Sequence, residues 1–432
     1  IGAFVEGMAI HNQIMREQFE CDLTTANALI NMYAKCGSLE AACKVFDNLP
    51  NPNHVSYGGL ITAYVQHGQG FLALQLFAKV QSKGITPNKI IYICVLKACT
   101  DVRDSQQGKV LHEQIVRSGF ESDVTIANTL VDMYAKCGLM GEARRVFDLL
   151  AIRTTVSWGA MIAGYVQGGY GFLAIELFDK MRKEKVRPDQ GTFVCMLKAC
   201  GSTNDIVKGR MIHEEIIEDG ISLDTLLGST LIDMYSKCGA IEDAEDVFCN
   251  LFERTAISWV AMLSAYVEQG QADKALQLYC QMQEEGKEEE DLQIFNQQTF
   301  VIALQACGMV VQEDKDRDAS ISIEIGMALH ADACGHGYAS DVVVGTAILK
   351  MYCNCGSIAD AEIMFNMMNE RDLVTWTIML SAYVEQGQGE KAFHLFNEMQ
   401  RENVTIDEVT ITCLLQVGGQ LGSLELCRGL HF

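Results

Sequence analysis

The sequence predicts an all-α solenoid of short antiparallel helix pairs. Three observations carry that prediction. The stretch "NALINMYAKCGSLEAACKVFDNL", beginning at Asn27, returns in related form at Asn128, Ser229 and Thr346, at spacings of 101, 101 and 117 residues. Inside each interval apolar residues recur at helical spacing, in runs separated by glycine-containing turns. Only four prolines occur in 432 residues, so helix is permitted almost everywhere.

The interval resolves into smaller pieces, taken here in chain order. Residues 1–22 form a partial long-type repeat. Pieces 23–53, 54–88 and 89–123 follow, of 31, 35 and 35 residues. The next unit runs 124–154, 155–189 and 190–224, and the third 225–255, 256–296 and 297–341. Two insertions lengthen the third unit by 16 residues, which accounts for the 117 spacing. The pieces 342–372 and 373–407 and a partial repeat at 408–432 complete the array.

Each piece reads as two helices. In 54–88, Val55, Tyr57, Leu60, Ile61 and Tyr64 line a first helix, and "HGQG" turns the chain. Ala73, Leu74, Leu76, Phe77 and Val80 line a second, with Gly84 as its stop and Pro87 beyond. In the short pieces Cys36-Gly37 and its equivalents make the turn. No such pair buries its apolar face alone, so stacking must bury it. Ala41, Ala143, Ala244 and Ala361 are read as the small residues that let helices approach. Trp158, Trp259 and Trp376, with Tyr57 in the first copy, are read as packing aromatics.

Composition narrows the function. No apolar run approaches the roughly 18 residues of a membrane span. A formal charge of −23 argues against a generally basic nucleic-acid surface. Seventeen cysteines suggest metal or disulfide chemistry until they are placed in the repeat. Cys36, Cys137, Cys238 and Cys355 form one equivalent set, and Cys99, Cys200 and Cys307 another. Cysteines in register are small core residues, and a reducing compartment follows. Cys353 and Cys355 have no second ligand pair to complete a zinc site. His11, His112, His213, His330 and His431 also recur in register. "HEE" at His213–Glu215 mimics the H-x-E of a zinc deaminase, but the partner P-C-x-x-C is absent from the sequence. No nucleophile–base pair or phosphate loop stands out. We expect no metal, no cofactor and no catalysis by this segment.

The segments "NALINMYAKCGSLEAACKVFDNLP", "TVSWGAMIAGYVQGGYGFLAIELFDKMRKEKVRPD" and "GTFVCMLKACGSTNDIVKGRMIHEEIIEDG" resemble the short, standard and long motifs of plant pentatricopeptide repeat proteins of the PLS subclass. The resemblance covers nearly the whole chain. It implies a right-handed superhelix of helical hairpins, with single-stranded RNA in the groove at about one base per repeat. It also implies organellar RNA processing in a mitochondrion or chloroplast, most often C-to-U editing beside a deaminase.

A side chain near the start of a first helix can meet a base edge. In this frame that is the fifth residue of each repeat, and the resemblance adds the last residue as a second reader. The pairs are Asn27 with Asn53, Gly58 with Asn88, Asn128 with Thr154, Gly159 with Asp189, Ser229 with Thr255, Val260 with Asn296, Thr346 with Asp372, and Thr377 with Asp407. A carboxylate only accepts hydrogen bonds, and a small hydroxyl residue leaves room for a purine. Thr346/Asp372 and Thr377/Asp407 should therefore favour G. Asn27/Asn53 and Asn128/Thr154 lean to C with U tolerated. Gly159/Asp189 resembles the guanine pair without its hydroxyl. Gly58/Asn88 leans weakly to A, and Ser229/Thr255 to a purine. Ile93, Val194, Val301 and Thr412 hold the first slot of the long repeats, where little readout is expected.

Val55, Val156, Ile257, Val343 and Val374 hold the second position, as base-sandwiching wedges by the resemblance or as ordinary interhelix packing. Lys35, Lys136 and Lys237 end first helices, to touch phosphates or to favour a helix C-terminus, and Asn354 replaces them in the fourth copy. Three features depart from the family. The acidic runs "EEGKEEED" at 284–291 and "QEDKDRD" at 312–318 are read as solvated loops. The first insertion falls just before Asn296, and Val260 is a poor reader, so the third unit is expected to be a blind spot or a distorted joint. The chain opens on Ile1 and closes on Phe432 inside a long repeat, so we expect an internal fragment. A second reading stays open: a protein-interaction solenoid whose acidic surface binds basic partners.

Overall fold

Each first helix opens on a residue able to cap it and closes on a turn that stops it. The computed structural model describes residues 2–17, 22–288, 295–313, 319–338, 340–402 and 404–421. Among these residues there are 24 helices and no strand. Contacts divide the chain into two compact units, Ile1–Thr203 and Asn204–Phe432.

In the first unit α1 is Gly2–Arg16. It is followed by α2 Leu23–Lys35 and α3 Leu39–Asp47, α4 His54–Gln66 and α5 Gly70–Ser82, α6 Lys89–Val102 and α7 Ser105–Arg117, α8 Val124–Lys136 and α9 Met140–Leu149, α10 Thr155–Gln167 and α11 Gly171–Lys183, and α12 Gln190–Thr203. The second unit opens with α13 Ile206–Glu218. It continues with α14 Thr225–Lys237 and α15 Ile241–Cys249, α16 Ala256–Glu268 and α17 Ala272–Glu288, α18 Gln297–Glu313 and α19 Ala319–Gly335, α20 Val342–Asn354 and α21 Ile358–Met367, α22 Leu373–Glu385 and α23 Gly389–Arg401, and α24 Glu408–Leu421. Within each unit the even-numbered helices pack on one another as a layer. Each odd-numbered helix from α3 onward leans on the even-numbered helix that follows it. Among the described residues no helix is long and apolar enough to cross a membrane.

The turn after the first helix is set by one residue. Gly37, Gly138, Gly239 and Gly356 have φ between 71° and 80°. That left-handed conformation costs glycine nothing and lets the next amide reach back, as Ser38 N does to the Tyr33 carbonyl at 3.0 Å.

Aromatic clusters tie successive pairs. Trp158, Trp259 and Trp376 are buried and meet Phe147, Phe248 and Phe365 edge to face at 5.0, 4.9 and 4.9 Å. Arg153, Arg254 and Arg371 lie over those phenylalanines at 5.1, 5.1 and 4.6 Å. The tryptophans are thus packing residues. Cys99, Cys200 and Cys307 are fully buried, as their register predicts. Cys36, Cys137 and Cys238 sit at helix ends and are only half-buried, so they are not core residues. In the first copy the fully buried small residue is Ala42, not Ala41, because Ala42 shares the register of Ala143, Ala244 and Ala361. Neither acidic run is all loop: α17 continues to Glu288 within the first, and α18 to Glu313 within the second. Residues 289–294 and 314–318, and His431, lie outside the described residues.

Among the described residues the recurring histidines His11, His112, His213 and His330 each meet a tyrosine of the next "MY" motif. Nδ1 of His112, His213 and His330 lies 2.9, 2.9 and 3.1 Å from the hydroxyls of Tyr134, Tyr235 and Tyr352. Burial lowers the pKa of all three histidines. The unfolded chain therefore holds more protons than the folded one between the lowered values and the ordinary one, and stability rises with pH there. The contribution is complete above about pH 6.5 and drains as pH falls below it. The melting midpoint should therefore fall between about pH 7.5 and about pH 5.5. Replacing the three histidines together by Gln should flatten that fall, and an unchanged pH dependence would contradict the assignment.

Candidate nucleic-acid interface

The residue before each even-numbered helix faces the unpaired amides of its first turn. Asn53 Oδ1 accepts from the amides of Val55 and Ser56, and Asn88 from that of Ile91. Thr154 forms a reciprocal pair with Ser157. Asp189 Oδ1 accepts from both the amide and the hydroxyl of Thr192, at 2.8 and 2.6 Å. Asp372 does the same with Thr375 at 2.9 and 2.6 Å, and Asp407 with Thr410 at 2.8 and 2.6 Å. These threonines are essentially fully buried, so each fixes the orientation of its carboxylate. The Thr375 hydroxyl, outweighing burial, holds the Asp372 carboxyl below the usual carboxylate range. The Thr410 hydroxyl and amide do so for Asp407. Among the described residues Oδ2 of Asp189, Asp372 and Asp407 has no hydrogen-bond partner, which leaves one charged acceptor oxygen at each junction.

The third unit answers two expectations differently. Asn296 keeps its register despite the insertion before it, accepting from Thr299 N and Oγ1 at 3.0 and 3.1 Å. Thr255 makes no side-chain cap bond, and its hydroxyl is buried without a partner. Ser258, which would complete the pair seen at Thr154, donates instead to the Thr255 carbonyl at 2.9 Å.

Fifth-position residues lie on the first turns of the same helices. Asn27 and Asn128 are half-buried, each with a buried Oδ1 that lacks a partner. Gly58 is buried, Gly159 and Val260 are half-buried, and Ser229 donates to the Leu226 carbonyl at 3.1 Å. Thr346 donates to Val342 O at 2.7 Å and Thr377 to Leu373 O at 2.9 Å, so both oxygens remain acceptors. Thr346 Oγ1 also lies 3.3 Å from Thr375 Oγ1, which links it to Asp372.

The structure brings one nominated set into a shared space. Val343, Thr346, Asp372 and Val374 line an open cavity of about 640 Å³ between α18, α20 and α22, with Val301 and Lys350 on its wall. The other nominated residues hold the same places on their own helices. Val55, Val156, Ile257, Val343 and Val374 are 45–61% exposed. Such exposure leaves interhelix packing little share in them. Ile90, Leu226 and Val409 are as exposed at the same second position; the apolar second-position signal marks them too, though the sequence reading passed them over.

The lysines fall out differently from expectation. Lys136 and Lys237 are paired with Asp132 and Asp233 one turn earlier, at 3.1 and 2.8 Å. Lys35 is exposed and has Asn31 at that place. Lys97, Lys198 and Lys350, four residues after the fifth position, are exposed and, among the described residues, hold no ion pair. Their signal was a lysine one turn past the reader, off the helix-end position that the repeat emphasised. Among the described residues no group of three or more His, Cys, Asp or Glu is placed to hold a metal ion.

Profiles of the PPR repeat match residues 24–51, 125–151, 191–221, 229–254, 257–286 and 346–373. A PPR repeat family profile matches 153–202 and 371–417, and a pentatricopeptide repeat domain profile 51–102. Together they cover more than half of the chain. The chain belongs to the pentatricopeptide repeat family. A pentatricopeptide repeat-containing protein of Arabidopsis thaliana is 32% identical over 99% of this chain and 59% of its own length. A mitochondrial one is 32% identical over 99% of this chain and 47% of its own, and a chloroplastic one 33% identical over 97% and 50%. The chain thus spans about half the length of the curated relatives it matches. Several such relatives are named mitochondrial or chloroplastic, which supports an organellar place for this pentatricopeptide repeat chain. The fold is that of pentatricopeptide repeat protein PPR10 in complex with an 18-nt psaJ RNA element, with a TM-score of 0.72 at 17% identity over 95% of this chain and 60% of that one. PPR10 from maize gives 0.61 at 18% identity over 99% and 65%.

Capping predicts a stability pattern for this pentatricopeptide repeat array. Asp372→Ala should cost about 1 kcal/mol, while Asp372→Asn, an equally good cap, should cost almost nothing. Urea denaturation of the two variants beside the parent checks this, and equal losses would deny the cap its role.

Proposed function

We propose that this chain binds single-stranded RNA in a sequence-specific way, reading about one base per repeat in the frame 23–53, 54–88, 89–123 and onward. The observation that carries the reading is the cavity in which Val343, Thr346, Asp372 and Val374 converge. A planar base fits between two exposed valines, with the Thr346 oxygen and Asp372 Oδ2 as acceptors for the N–H groups of a guanine edge. The remaining pairs, apart from Ser229/Thr255 with its uncapped junction and Val260/Asn296 with its apolar first slot, read by the same geometry, with the base preferences set out above. In PLS fashion, the chain acts as a specificity factor for organellar RNA processing. It places a cytidine before an editing deaminase supplied by a partner or by another part of a longer protein. PPR10, of the same fold, is itself solved with an RNA element.

The competing reading, a scaffold for basic partners, rests on the net charge of −23. The charge is unevenly placed. The twelve even-numbered helices, which carry the reading positions, hold seven acidic and seven basic side chains. The seven aspartates at the junctions, Asp22, Asp123, Asp189, Asp224, Asp341, Asp372 and Asp407, add to the acidic side of that layer, but most of the excess belongs to the rest of the chain.

Two measurements test the proposal. With Lys35, Lys97, Lys198 and Lys350 each meeting one phosphate, log K should fall against log salt with a slope of about −3. A slope steeper than about −6 would mean that a further basic face holds the RNA. Asp372→Asn should move preference at one base from G toward A by about 1–3 kcal/mol, with its neighbours unchanged. Retained preference for G would remove Asp372 as a reader. Failure to bind any single-stranded RNA at low salt, together with capture of basic peptides, would establish the scaffold instead.

A further inference from the structure

Five of the aspartates that close repeats, Asp123, Asp189, Asp341, Asp372 and Asp407, divide into two groups by what their second oxygen does. At Asp189, Asp372 and Asp407 the cap uses Oδ1 alone. Asp123 and Asp341, which close long repeats, have no oxygen left over. Asp123 Oδ1 caps α8 through the amides of Thr125 and Ile126, and Lys89 Nζ takes Oδ2 at 2.7 Å. Asp341 Oδ1 caps α20 through the Val344 amide, and Gln297 Nε2 lies 2.9 Å from both carboxylate oxygens. The Gln297 amide, with the Val344 amide, also keeps the Asp341 carboxyl below its usual range.

Lys89 and Gln297 occupy one register, the first residue of the long repeat that their aspartate closes. Where the aspartate keeps a spare oxygen, that register is filled otherwise. The repeats ending in Asp372 and Asp407 open with Val342 and Leu373, which have no polar group to offer. The repeat ending in Asp189 opens with Thr155, whose hydroxyl donates to the Arg187 carbonyl at 3.0 Å.

We infer that Lys89 and Gln297 are specificity-determining residues of a negative kind: each latches the closing aspartate of its own long repeat and makes that repeat indifferent to the base it faces. The inference rests on the proposed base-per-repeat reading. The fifth residues of these repeats, Ile93 and Val301, offer no hydrogen bond, so the aspartate is the one polar reader left. The latch spends it. A long repeat then holds its nucleotide by stacking and backbone contact and acts as a spacer between readers.

Gln297→Ala is the cleaner test, because it removes no charge. The intact chain and the variant are bound in competition to RNAs that differ only at the base facing 297–341, and again at the base facing 342–372. The parent should treat all four bases at the first position alike, within about twofold. Gln297→Ala should gain a preference for G or U over A and C of about tenfold, because a freed carboxylate accepts from N–H edges. Adding Asp341→Asn should abolish the gain. Lys89→Met at the base facing 89–123 repeats the test should the first variant fold poorly. If Gln297→Ala stays indifferent while Asp372→Asn shifts its own base, the latch is wrong and the reading stands. If neither base responds to either change, the reading itself fails, and the latch with it.

Discussion

The array depends on one constraint: the first turn of every even-numbered helix exposes amides that the preceding residue has to satisfy. Only Asp, Asn, Ser and Thr do this well, and those types stand at each junction described. A cap of this kind needs one oxygen. A carboxylate or carboxamide brings a second polar atom that the cap does not need. The residue demanded by folding thus carries a spare hydrogen-bonding group at junctions such as Asp189, Asp372 and Asp407, where nothing else takes its second oxygen. Asp and Asn are nearly equal caps, yet one only accepts while the other also donates. Base preference can therefore vary along the chain at almost no cost in stability.

The third residue of each helix makes the cap exact enough to read with. Thr192, Thr299, Thr375 and Thr410 place both an amide and a buried hydroxyl on one oxygen of the junction side chain. Two bonds to one oxygen leave little freedom for the other. Thr255 shows what happens without this support: Ser258 turns to the backbone and the Thr255 hydroxyl is left buried and unpaired. An orphan of that kind costs about 1–3 kcal/mol. The next junction, Asn296, recovers the bonded arrangement, so the fault at Thr255 stays local to its own step.

Helices, turns and helix pairing were legible because they are local. Apolar spacing, the Cys-Gly turn and the stop at Gly84 each depend on neighbours a few residues away. The errors have equally physical causes. Two adjacent alanines, Ala41 and Ala42, differ by about 100° around the helix, and composition alone does not say which faces inward. Lys136 and Lys237 looked available until Asp132 and Asp233, one turn back, were seen to hold them. Acidic runs read as loops because charge repels water-poor surroundings, yet a helix tolerates charge on its solvent side and continued to Glu288. The contacts of Lys89 with Asp123 and of Gln297 with Asp341 join opposite ends of a repeat. No periodicity reports such a contact.

The charge distribution bears on how selectivity is reached. A basic groove binds any polyanion, and counterion release then supplies affinity without regard to sequence. Here the even-numbered layer, taken with its junction aspartates, is net acidic, and among the described residues the unpaired lysines on it are few. On the proposed reading, affinity comes mainly from exposed second-position side chains against base faces and from acceptors such as Asp372 against base edges. Non-specific binding is weak on such a surface, so a mismatch at one reader takes a larger share of the total. Long repeats made indifferent by the inferred latch would suit the same economy. They keep the strand in register between readers without adding a further preference that the target would have to satisfy.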